Sequence, residues 1–158
     1  MAEVYVTAEG TVNAPASRVY SLISDFQEHH HRFLPDNFSD YHVEQGGIGA
    51  GTVITFTATG GGRTRGFRMR VEEPDPGRVM VEADTMSSLV TTWTVMPEGD
   101  ASRVRIETRW NGAAGVPGFF ERLFAPRAMR RIYREELKRL DRYARSQRQA
   151  PELVGSGH

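Results

Sequence analysis

A cation on an otherwise apolar strand face is the first feature of this sequence that could do chemistry. In Arg63–Glu72 the residues Phe67, Met69 and Val71 alternate with Arg68 and Arg70, so one face of the strand turns toward a core. Arg65 shares the parity of the apolar set. Pointed inward, its guanidinium could clamp a carboxylate or phenolate, or polarise a carbonyl. At a frayed strand end it would meet only solvent. Further on, Leu89, Thr91, Trp93 and Val95 share one face, as do Val104, Ile106, Thr108 and Trp110. Two tryptophans and two threonines on an apolar wall suit a flat aromatic ligand, with Phe120 and Phe124 of a following helix closing over it. Plain core packing is the alternative for each of these rings.

The run His29-His30-His31 is the other chemical candidate. Adjacent residues point apart on a helix, and metal ligands on one face need i,i+4 spacing, so the run selects no metal. Solvated or rim histidines are its ordinary use. His30, facing the mouth of a cavity, could instead act as an acid or base near neutral pH. The paired carboxylates Glu72-Glu73 and Glu82 with Asp84 lie on strands or strand ends. Val79, Val81 and Ala83 occupy the parity opposite Glu82 and Asp84, which places those two acids on the solvent face. No G-x-S-x-G elbow occurs, and the absence of cysteine excludes disulfides, thiolate catalysis and Cys-ligated zinc. The residues ask for no cofactor and no metal, and they fix no catalytic residue; Arg65 and His30 are the weak candidates.

These side chains must be positioned by strands, turns and one long helix. Val4–Val12 alternates with period two and reads as a strand, ended by Asn13-Ala14-Pro15. Val19, Leu22, Ile23 and Phe26 then recur at helical spacing, and Gln27–Leu34 reads as a second short helix stopped by Pro35. From Phe38 to Asn111, turn signals every 8–12 residues separate six strands, as in an antiparallel meander. Phe120, Leu123, Phe124, Ala128, Ile132, Leu137, Leu140 and Ala144 form one apolar stripe. It predicts a helix over roughly Pro117–Arg145, disturbed at Pro126. The expected fold is α+β: a seven-stranded curved antiparallel sheet wrapped around a long C-terminal helix, with two short helices between strands 1 and 2. Sheet curvature would leave a cavity under the helix. One domain, residues 1–148, is followed by a tail at 149–158 read as unstructured.

Composition supports one globular domain: 158 residues, 39% hydrophobic and 25% charged. No apolar run reaches membrane-spanning length, and the N-terminus has no secretory pattern, so a cytoplasmic location is the expectation. The net charge of zero hides an asymmetry: residues 1–120 hold 10 basic and 15 acidic residues, residues 121–148 hold 10 and 4. A basic helix face could dock a partner or stand solvated. Overall neutrality argues against a dedicated nucleic-acid binder. Monomer and homodimer both remain open.

Several stretches also resemble a known family. Pro15–Phe26 is similar to the first-helix signature of the START-like (SRPBCC) superfamily, Phe33-Leu34-Pro35 to the end of its second helix, and Gly49-Ala50-Gly51-Thr52 to the turn into its third strand. Thr92–Gly99 with Ser102–Ile106 resembles its last hairpin. Leu123-Phe124-Ala125-Pro126, with Arg130, Glu135, Leu137 and Leu140, resembles the closing helix of the polyketide cyclase/dehydrase-like branch. The likeness runs collinearly from about Val4 to Arg145. It implies a helix-grip fold around a cavity for lipids, polyketides, hormones or similar molecules, in a family that includes aromatase/cyclases, carriers and receptors. His29-His30-His31 departs from it, since relatives more often place a tryptophan and a proline there. The leading expectation is a carrier or sensor, as in lipid transport, that binds a hydrophobic or aromatic small molecule. Arg65, Phe67, Met69, Thr91, Trp93, Thr108, Trp110, Phe120 and Phe124 would line its cavity, of roughly 300–1,000 Å³. The alternatives are a polyketide cyclase/dehydratase-type enzyme in the same cavity, and an interaction module using the basic helix.

Overall fold

The computed structural model describes residues 3–60, 62–111 and 126–156, with side chains as far as residue 147. The chain runs through β1 (Glu3–Val12), α1 (Ala16–Ser24), a 3-10 turn (His30–Phe33), β2 (Phe38–Gln45) and β3 (Val53–Gly60). It continues through β4 (Arg63–Asp75), β5 (Val79–Asp84), β6 (Val90–Glu98) and β7 (Ala101–Asn111) to a long helix, α2 (Pro126–Ser156). The seven strands pair antiparallel in the order β1-β7-β6-β5-β4-β3-β2. Strands β2 to β7 are therefore a meander, and β1 closes its far edge. Breaks in register between Ser39 and His42, Val43 and Gln45, and Glu72 and Asp75 add twist and bend the sheet. The bend faces α2, which packs on β1, the 3-10 turn and α1. Among the described residues no helix is long and apolar enough to cross a membrane.

The helix is held by a face that repeats at three and four residues. Met129, Ile132, Tyr133, Glu136, Leu137, Leu140 and Ala144 are buried, whereas Arg127, Arg131, Arg134, Lys138 and Arg142 are exposed. Ala128, counted into the apolar stripe, lies at its margin and is half-buried. Pro126 is the first residue described in α2, so the expected start near Pro117 and the disturbance at Pro126 fall outside the described residues. At its other end the helix continues to Ser156, not stopping near Arg145 and giving way to a loose tail. Gln147, Arg148, Gln149 and Ala150 all propagate a helix well, although Pro151 beyond them supplies no backbone N–H.

The second short helix expected after α1 is present as a single 3-10 turn, His30–Phe33. The Asp25 carboxylate accepts hydrogen bonds from the amides of Gln27 (3.1 Å) and Glu28 (2.9 Å). Pro35 meanwhile holds Leu34 in extended conformation (φ −70°, ψ 136°). Between these two constraints only one 3-10 turn fits. The loop between β2 and β3 is fastened by Glu73, whose carboxylate accepts from the Ala50 amide (2.8 Å) and the Tyr20 hydroxyl (2.7 Å). Gly49 is required there. Its φ is +63°, and a Cβ would lie 2.2 Å from Glu73 Oε1.

Strand parity holds for β4, β6 and β7 and is inverted for β5. Phe67, Met69, Val71, Thr91, Trp93, Ile106, Thr108 and Trp110 are all buried on the concave face. Trp93 and Trp110 share that face, since Trp93 pairs with Ile106 and residues 106, 108 and 110 point the same way. In β5, however, Met80, Glu82 and Asp84 turn inward, while Val79, Val81 and Ala83 lie half-buried on the convex face. The reading of Glu82 and Asp84 as solvent-facing is thus corrected. Register forces the reversal. Glu82 pairs with Val71 and Thr91, Asp84 with Met69, and Met80 with Trp93, and directly paired residues share a face.

Candidate ligand site

Between the first turns of α2 and the concave face of the sheet lies a partly open cavity of about 60 Å³. Its floor is Ile54, Phe56, Phe67, Met69, Leu89, Thr91, Trp93 and Ile106; its roof is Met129, Ile132 and Tyr133. It is smaller than the sequence suggested because aromatic rings fill the concavity. Phe56 and Phe67 stack at 5.3 Å, and Phe38 stands edge-on to Phe56 at 5.6 Å. A site needs about 10–15 Å³ to hold one water. The space therefore fits roughly four to six waters, the bulk of one ring with a short chain.

Six polar side chains, His30, Tyr41, Glu82, Thr91, Tyr133 and Glu136, break the apolar lining. Glu82 (6% exposed) accepts a hydrogen bond from the Trp93 indole N–H at 2.7 Å. Burial raises its carboxyl to about 7, and the indole donor partly offsets the rise. Glu136 (3% exposed) reaches in from α2; burial first, and then the Glu82 charge, push its carboxyl well above the ordinary range. Among the described residues no hydrogen bond or ion pair reaches Glu136. His30 (2% exposed) donates from Nδ1–H to the Ile23 carbonyl at 2.7 Å. Its ring stacks on Phe26 at 4.4 Å and meets Trp93 edge-on at 5.5 Å. Burial lowers it to about 4, so it is neutral at pH 7 with the Nε2 lone pair as an acceptor. Thr91 bonds Thr108 at 2.7 Å, and Thr108 in turn bonds the Tyr133 hydroxyl.

Of the residues singled out from sequence, Phe67, Met69, Thr91 and Trp93 line the cavity, and so does His30. His30 is a core ring, not a rim histidine, because the 3-10 turn rotates it inward between Phe26 and Phe33. Thr108 stands behind Thr91 and Tyr133. Trp110 is buried at the end of β7, opposite Val4 of β1, outside the lining. Arg65 does face inward, but its charge is committed: Nη2 lies 2.9 Å from Asp84 Oδ2 and the guanidinium sits 4.2 Å above the Phe67 ring. Asp84 is also bonded by Ser87 at 2.6 Å. Phe120 and Phe124 lie outside the described residues.

The sequence reading missed Glu82, Glu136, Tyr133 and Tyr41. The signal for Glu136 was present, since Ile132, Glu136, Leu140 and Ala144 form a single i,i+4 row along the buried face. One consequence is directly measurable. Trp93→Phe keeps a ring but removes the donor to Glu82, so the Glu82 carboxyl should titrate higher than in the parent, read by carboxyl-carbon NMR. An unchanged titration would show that the indole bond does not hold Glu82 down.

This geometry has company among solved structures. The solution structure of the protein KanY (ms6282) is 39% identical, covering 92% of this chain and 99% of that one, with a TM-score of 0.80. TTHA0849 from Thermus thermophilus is 22% identical, over 91% of this chain and 99% of that one, with a TM-score of 0.75. The Zhui aromatase/cyclase from Streptomyces sp. R1128 is 16% identical, over 95% and 98%, with a TM-score of 0.73. The last two share the fold. No curated protein matches the chain. The model of one family, described as polyketide cyclase/dehydrase and lipid transport, matches residues 1–145. With a helix-grip architecture and that match over nearly its whole length, the chain belongs to the polyketide cyclase/dehydrase and lipid transport family.

Proposed function

We propose that this protein binds a small, largely apolar, ring-bearing molecule in the cavity beneath α2, as a carrier or sensor. The observation that supports it most is an aromatic-lined space into which Glu136, a buried carboxyl with no hydrogen bond or ion pair among the described residues, projects. A side chain of this kind destabilises the empty protein unless something else uses it. The volume favours a single ring with a short chain over a long acyl chain or a folded multi-ring polyketide, either of which would have to displace lining side chains. Trp93 lines the cavity and Trp110 does not, which supplies a reporter. In a Trp110→Phe background, a ring-bearing ligand should change Trp93 fluorescence saturably. Adding Ile132→Phe, which fills the cavity from the roof, should abolish the change. A response that survives Ile132→Phe would place binding elsewhere.

A second reading has its own observation. A carboxyl held at about 7 and a neutral imidazole lining the same space are matched to proton transfer near neutral pH, as a cyclase- or dehydratase-type step requires. In that reading Glu82 and His30 carry the chemistry, and Arg65, neutralised by Asp84, does not. Glu82→Gln would then abolish turnover while ligand affinity is retained; retained turnover would leave the carrier reading alone.

A further inference from the structure

We propose that the ligand class selected by this cavity is a small hydrophobic amine, its ammonium group held by the Glu82 and Glu136 side chains and its apolar body lying against the aromatic walls. The proposal rests on the cavity reading above and adds the chemistry of the polar end.

The argument begins with the charge inventory of the lining. The titratable residues facing the space are His30 from the 3-10 turn, Tyr41 from β2, Glu82 from β5, and Tyr133 and Glu136 from α2. Among the described residues, no lysine or arginine lines the space. Arg65, which shares the inward parity of β4, is bonded to Asp84. Two acids thus face one small space with no basic partner among the described residues. A carboxylate offers about four acceptor sites. Glu82 receives one bond, from Trp93, and Glu136 receives none among the described residues. Burying two such groups without a counter-charge is costly, and the cost falls when a cation enters and both can ionise.

Alternative ligands fit less well. An anion would be repelled wherever either acid ionises, and no cationic side chain in the described lining offsets that. A carbonyl needs one donor and could take it from a protonated carboxyl, but the second acid would remain without a use. An ammonium carries three donors and can satisfy both carboxylates at once. The rings supply the other half of the recognition. Trp93, Phe56, Phe67 and Tyr41 line the same space, and a cation beside ring faces gains quadrupole attraction that grows on desolvation. The space suits one ring plus a short chain, which sets the size of the amine.

Three probes of equal heavy-atom count separate the possibilities: 2-phenylethylamine, acetophenone and propylbenzene. Binding to the intact protein would be measured by calorimetry and by Trp93 fluorescence in the Trp110→Phe background. The amine should bind at least about tenfold more tightly than either neutral probe. That preference should disappear in Glu136→Gln and shrink in Glu82→Gln, with propylbenzene affinity nearly unchanged. Below about pH 7, amine binding should also release protons as the carboxyls ionise, seen as a binding heat that depends on the buffer's ionisation enthalpy. If acetophenone or propylbenzene binds as tightly as the amine, the amine proposal is overturned and the cavity reading stands. The amine proposal is likewise overturned if the preference persists in both glutamine variants or in the Ile132→Phe protein, because the ammonium then sits on the surface. If none of the probes binds, both readings fall. Should the glutamine variants not fold, the ranking of the three probes on the parent protein decides alone.

Discussion

Glu82→Gln is expected to stabilise the protein by about 3 kcal/mol above pH 7 and to change little below about pH 4. The carboxyl titrates near 4.5 in the unfolded chain and at about 7 in the folded one. Below 4.5 both states hold the proton and ionisation adds nothing. As pH rises, the unfolded chain releases its proton first, so stability falls until the folded group also ionises, and then levels off. Glutamine cannot ionise, yet its amide oxygen can still accept the Trp93 N–H. Glu136, raised in the same direction, deepens the fall. His30 works against both. Its imidazole is held at about 4 from an ordinary 6.5, so its contribution is full above 6.5 and is lost as pH falls through 4. Between about 4.5 and 6.5 it cancels one of the two carboxyls. The parent should therefore lose stability with the slope of one proton in that interval, and Glu82→Gln should be nearly flat. Urea unfolding at a series of pH values measures both curves. Parallel curves would return Glu82 to the solvent face.

Leu140→Ala should lower stability by about 2–5 kcal/mol, which for a chain of this size is a fall of roughly 5–15 °C in Tm. Leu140 is fully buried on the face of α2 that packs on β1, within the same core as Ile132, Leu137 and Ala144. The cost combines lost transfer energy with the cavity left behind, and a helix fixed along a sheet edge collapses poorly into the gap. Arg142→Ala, on the exposed face of the same helix, should stay within about 0.5 kcal/mol. Denaturant midpoints for the pair test the facing of the helix. Equal losses from the two variants would mean that the buried stripe is misplaced.

The architecture was legible because its signals are local. Turn glycines and prolines punctuate Phe38–Asn111, alternation marks β4, β6 and β7, and a three-four repeat marks α2; each is set by backbone geometry within a few residues. The polar end of the cavity was not legible in the same way. Glu82 alternates with Val79, Val81 and Ala83, and local pattern alone puts the acid outside and the valines inside. Pairing decides otherwise: Thr91 and Val71 flank Glu82 across the sheet and carry it inward. Glu136 had a local signal, its place in the Ile132–Leu140 row, but a single acid in an apolar row reads as an interruption until something faces it.

The sequence by itself determined the element order, the antiparallel meander, the amphipathic closing helix and most of the apolar wall, because each follows from periodicity along the chain. Only the tertiary structure decided which ionisable groups share the cavity. That question depends on cross-strand register, on the turn that buries His30 between Phe26 and Phe33, and on how α2 lies over the sheet. It decided equally that Arg65 is neutralised by Asp84 while Glu82 and Glu136 face the cavity with no basic partner among the described lining residues. The physical reason is one of distance: burial and charge pairing are set by residues far apart in the chain, where one-dimensional pattern carries no information about contact.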